Sequence, residues 1–97
     1  MANRTRLLLT ATDRADVIED FLETELGVPV KSRYLNPDYE FIVDGDRWLR
    51  VSKEYLTDNN PSLADVIDDV RKALKSYQPA DRTRRVFLGT KGLRDDS

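Results

Sequence analysis

The dipeptide Asp44-Gly45, set between Tyr39–Val43 and Arg47–Val51, constrains this chain more than any other feature. Alternating apolar residues on both sides of such a turn specify a β-hairpin. On either side of the hairpin the apolar period lengthens. Val17, Ile18, Phe21, Leu22 and Leu26 recur at helical spacing, with Thr12 or Asp13 placed to cap the first turn and Gly27 to end the last. That predicts a helix over residues 13–26. Leu63, Val66, Ile67, Val70, Leu74 and Tyr77 form a second stripe. Asn60 or Ser62 is its N-cap, Pro61 suits its first position and Pro79 stops it.

Shorter runs complete the order. Residues 4–10, around Leu7, Leu8 and Leu9, read as a buried strand, Val30–Leu35 as a strand ended by Asn36-Pro37-Asp38, and Val86–Leu88 as a last strand. Lys53–Leu56 either extends the hairpin or begins a turn. The resulting β-α-(β)-β-β-α-β order predicts an α+β two-layer sandwich of the ferredoxin-like βαββαβ kind with an extra strand. Both helices would cover one face of a mostly antiparallel sheet, with the first and last strands side by side. Residues 1–90 are expected to form a single α+β domain and residues 91–97 a flexible tail.

The chain contains no cysteine and no histidine. Disulfides, thiol nucleophiles, Ser-His triads and the usual zinc, copper and haem ligand sets are thereby excluded. Any acid–base step would need a strongly perturbed carboxylate, lysine or tyrosine, and no paired constellation is evident. The expectation is a chain that is not an enzyme and carries no cofactor. No apolar run approaches the ~20 residues that span a bilayer, and Leu7–Leu9 is too short for a signal-peptide core. We therefore expect a cytoplasmic protein with no membrane partner.

The net charge of −2 hides a polarised chain. Residues 13–26 hold one base and six acids, whereas Arg82, Arg84, Arg85, Lys91 and Arg94 concentrate positive charge near the C-terminus. The acidic helix reads first as a solvated face, and second as a docking surface for a basic partner or for the basic segment of another copy.

Trp48, the only tryptophan, lies between Arg47 and Arg50. With a two-residue turn, Phe41 and Val43 share a face with Trp48 and Arg50, and each face is only half apolar. With a three-residue loop, Tyr39, Phe41 and Val43 join Leu49 and Val51 on one apolar face, and Trp48 points away from the helices. The second reading makes the better core and is the one we expect. The open face would then carry Trp48, Phe87, Leu8 and Ile42 among Arg4, Arg6, Arg50 and Arg85. Such a patch fits a protein interface or self-association, the reading we favour. The alternative is single-stranded nucleic acid, with Arg82, Arg84 and Lys91 as further contacts, although the acidic total opposes it. The simplest reading buries Trp48 instead.

Two weaker motifs complete the survey. Gly89-Thr90-Lys91-Gly92 matches the GXXG of KH domains but follows a strand instead of joining two helices, so it reads as a turn. Asp44 and Asp46 lack the further oxygen ligands of a calcium loop, so no metal site is expected.

Overall fold

The computed structural model describes residues 10–57, 62–81 and 83–96. Helix α1 spans Ala11–Leu26, strands β1, β2 and β3 span Val30–Leu35, Asp38–Val43 and Asp46–Ser52, and helices α2 and α3 span Lys53–Thr57 and Leu63–Leu74. Strands β4, Val86–Gly89, and β5, Gly92–Asp95, complete the chain.

Helix α1 begins two residues earlier than its composition suggested, because Thr10 supplies the cap. Its hydroxyl accepts from the Asp13 N–H at 3.1 Å, while the Asp13 carboxylate accepts from the Thr10 N–H at 3.0 Å. Gly27 closes the helix in the left-handed conformation at φ 68°. Ser62 caps α3 by accepting from the Asp65 N–H. Lys53–Leu56, expected as strand or turn, lies in a helical turn, Lys53–Thr57, where the Glu54 and Tyr55 N–H groups donate to the Ser52 hydroxyl.

The sheet is open and mixed, in the order β1-β2-β3-β4-β5. Neighbours pair antiparallel except β3 and β4, which run parallel across the α2–α3 connection. The architecture is α+β, but the order departs from the ferredoxin-like expectation. β4 has β3 on one side and β5 on the other, so the place beside it foreseen for an N-terminal strand is filled. Residues 4–9 of the strand expected at residues 4–10, with Arg4 and Arg6, lie outside the described residues, as do Asn60, Pro61 and Arg82, while Thr10 is the α1 cap. Residues 92–95, expected as part of a tail, are strand β5.

The hairpin resolves the parity question in a way neither sequence reading contained. The turn has two residues, Asp44 at φ 50° and Gly45 at φ 89°, and Val43 pairs with Asp46. Positive φ at both centres is the type I′ geometry that matches strand twist. Phe41 nonetheless pairs with Leu49 and Ile42 with Arg47, so a β-bulge leaves Trp48 without a partner across the ladder. The bulge shifts the parity by one. Leu49 and Val51 therefore face inward with Tyr39, Phe41 and Val43, as the apolar pattern demanded, and Trp48 turns inward too.

Trp48 is 3% exposed, and its ring meets Tyr77 edge-on at 5.0 Å. The expectation of an outward Trp48 is thus corrected: the preferred parity assumed a longer loop, whereas the extra residue sits inside the strand. Ile18 and Leu22 of α1, Tyr55 and Leu56 of α2, and Val66 and Val70 of α3 share one apolar cluster with Phe41, Leu49, Val51 and Leu88. Tyr55 also ties α2 to α3, its hydroxyl donating to Asp69 at 2.5 Å. The face of opposite parity, which carries Glu40, Arg50 and Phe87, contributes nothing to that cluster.

Candidate functional site

The open face is built from residues two apart on each strand. On β2 these are Asp38, Glu40 and Ile42, and the pairing register places Glu40 between Arg33 of β1 and Arg50 of β3. Glu40 is only 2% exposed although it lies on the uncovered face. Arg33 reaches it at 3.0 Å and Arg47 at 2.8 Å, one guanidinium to each carboxylate oxygen. Burial alone would raise the Glu40 pKa. The hydrogen bonds and positive charges of Arg47 and Arg33 outweigh burial and hold the carboxyl below its ordinary 4.5.

Arg50 is the hub of a second group. It contacts Asp38 at 3.2 Å and Asp96 at 3.2 Å, and its guanidinium carbon lies 4.8 Å from the centre of the Phe87 ring. Arg94, opposite Phe87 on β5, lies over the same ring at 4.6 Å and makes no ion pair among the described residues. Phe87 is half-buried, flanked by cations from both neighbouring strands. The ring leans over Gly89, where a Cβ would come within 2.6 Å of it, so glycine is required for this placement. A shallow hollow of about 270 Å³ opens beside the ring, lined by Ser52, Glu54, Lys91 and Arg94.

Of the residues singled out in the sequence, the fold brings Arg50 and Phe87 together and sets Lys91 beside them in the β4–β5 turn. Arg84 lies elsewhere, with Trp48, Tyr77 and Asp81 around a cavity of about 10 Å³. Arg85 is half-buried just before β4, donating to the Arg84 carbonyl at 3.3 Å. Trp48 is absent from the face altogether. Arg94, Asp38, Glu40 and Asp96 were missed as site residues. Arg94 was hidden by the reading of residues 91–97 as a tail, and a Leu-Arg-Asp alternation just after Gly92 was the available signal.

Sequence reasoning also misread part of the acidic helix. Glu19 accepts from the Ser32 N–H at 2.6 Å and Glu23 from the Val30 N–H at 3.2 Å, so two of its acids bind the outer edge of β1. With Asp13 in the N-terminal cap, half of the six acids have structural partners.

Burial, and then Asp69, drive the Tyr55 hydroxyl upward, and so it stays protonated. Among the described residues no group of three or more acids is disposed to hold a metal ion, and no helix is long and apolar enough to cross a membrane. Comparison with protein-family models, with curated proteins and with solved structures gives no match to this chain.

Proposed function

We propose that this chain is a small, non-enzymatic cytosolic module that binds another protein through the open face of its sheet, at the cluster of Arg50, Phe87 and Arg94. The carrying observation is Phe87 on the uncovered face, flanked by two guanidinium groups at 4.8 and 4.6 Å beside a hollow of about 270 Å³. Aromatic and arginine side chains in partly desolvated clusters dominate binding energy at protein interfaces. Arg94 supplies a cation without a carboxylate partner among the described residues, so the favoured partner presents an acidic side chain next to an apolar one.

The alternative, single-stranded nucleic acid, has less support. Base stacking needs an accessible ring face, and Phe87 is already engaged from two strands. Three of the face's arginines are matched to Glu40, Asp38 and Asp96, which lowers the field a phosphate would meet.

The test is selection from a displayed peptide library against the wild-type chain, with the Arg94→Ala variant as counter-selection. Enriched acidic–apolar peptides should shift the amide resonances of residues 49–51 and 86–94 and lose about tenfold or more in affinity on Arg94→Ala. Failure to enrich any ligand that depends on Arg50, Phe87 or Arg94 defeats the reading. Salt-sensitive micromolar binding of a single-stranded oligonucleotide at the same amides would favour the alternative.

A further inference from the structure

The two outer strands of the sheet differ in what their free edges hold. At β1 the Asp44 N–H donates to the Pro29 carbonyl at 2.9 Å, which fixes the parity of the pairing. Val30, Ser32 and Tyr34 therefore turn their N–H groups away from β2. Glu23 and Glu19 accept the first two of these. At β5 the Asp96 N–H donates to the Arg85 carbonyl at 2.9 Å, and the same alternation turns the N–H and C=O of Leu93 and Asp95 outward. All four β5 residues are exposed, and no described residue accepts from the outward N–H of Leu93. Leu93 is itself one of three exposed large apolar side chains, at 40%.

We propose that this edge is the self-association surface of the protein, on which β5 of a second copy pairs antiparallel to form one continuous sheet. The occupant follows from the register. Outward-facing residues must meet outward-facing residues, which leaves registers centred on Gly92, Leu93, Arg94 or Asp95 within the strand. A centre at Gly92 brings no two outward β5 residues together and sets leucine against the turn lysine. A centre at Arg94 sets arginine against arginine and leucine against aspartate, and a centre at Asp95 sets aspartate against aspartate. Like charges directly opposite destabilise a strand pair.

The Leu93 centre avoids both. It pairs Leu93 with Leu93 of the second copy, Arg94 with Gly92, and Asp95 with Lys91, the last twice by symmetry. The sequence Lys91-Gly92-Leu93-Arg94-Asp95 is thus complementary to its own reverse. This surface is the edge of the sheet and not its open face; it shares Lys91 and Arg94 with the surroundings of Phe87, but the inference does not depend on the function assigned to that face.

Sedimentation velocity on the full chain, from about 1 μM to about 1 mM, tests it over the affinity range of a short interface. A monomer–dimer equilibrium is expected. Lys91→Glu should weaken the dimer about tenfold or more, since two ion pairs become repulsive together, and Lys91→Glu combined with Asp95→Lys should restore it. Leu93→Pro, which removes an N–H not used in pairing with β4, should abolish association while circular dichroism shows the fold retained. Arg50→Ala should leave the dimer unchanged. A monomer throughout the range overturns the proposal, whether or not the edge accepts a foreign peptide. So does a dimer indifferent to the charge reversals, or one dissociated by Arg50→Ala.

Discussion

The β1 and β5 edges present the same backbone problem and meet it differently. An edge strand exposes unpaired donors and acceptors that template unwanted pairing. At β1 the preceding helix supplies carboxylates to the outward amides of Val30 and Ser32, while at β5 the strand is short and exposed, and no described residue accepts from the Leu93 N–H. The difference shows that a helix can guard a sheet edge without covering it, provided its acids recur four residues apart. It also gives the reason why, among the described residues, β5 is the edge chosen for the association proposed above.

The largest way to break the contrast is to loosen the helix that carries the guards. Leu22 is fully buried one residue before Glu23, and Leu22→Ala should cost about 2–5 kcal/mol in urea unfolding. Amide exchange should then quicken at Val30 and Ser32 more than at β5. Removing a guard directly is milder. Glu19→Ala deletes the 2.6 Å bond from Ser32 and should cost about 1–3 kcal/mol, because the N–H loses a charged acceptor. Aggregation of that variant through β1, read by light scattering, should follow.

Acid sharpens the contrast from the middle of the sheet. The folded pKa of Glu40 lies below 4.5, so ionised Glu40 stabilises the fold above that pH, and the contribution is lost as pH falls through the lower folded value. Stability measured between about pH 5 and pH 3 should therefore decline, and Glu40→Gln should flatten that part of the curve. Since one of its two partners is Arg33 of β1, the wild-type decline should be accompanied by faster exchange in β1. The smallest effect belongs to β5: Arg94→Ala removes an exposed cation–π contact and should change stability by less than about 1 kcal/mol.

The apolar pattern alone identified the inner face of the sheet: Tyr39, Phe41, Val43, Leu49, Val51, Val86 and Leu88 are all buried. Trp48 escaped because two local rules conflict. Asp44-Gly45 favours a two-residue turn, whereas Leu49 and Val51 require the opposite parity, and one extra residue within β3 satisfies both. The sequence exhibits the conflict but not which element absorbs it. The roles of Glu19 and Glu23 were illegible for another reason, because an acid on a helix looks solvated until the strand beside it is placed. Glu40 likewise looked like an ordinary outward residue. Its burial depends on arginines from β1 and β3 converging across the sheet. The strand order depends on the parallel pairing of β3 with β4, which no local signal encodes.

The guard at β1 has a temporal side. Its two hydrogen bonds join residues only 7 and 13 apart in the chain, while β4 must return to β3 across the whole α2–α3 segment. Contacts between near neighbours close sooner than distant ones. The edge of β1 is therefore expected to be occupied while the far side of the sheet is still unassembled, when an exposed strand is most prone to pair with the wrong chain.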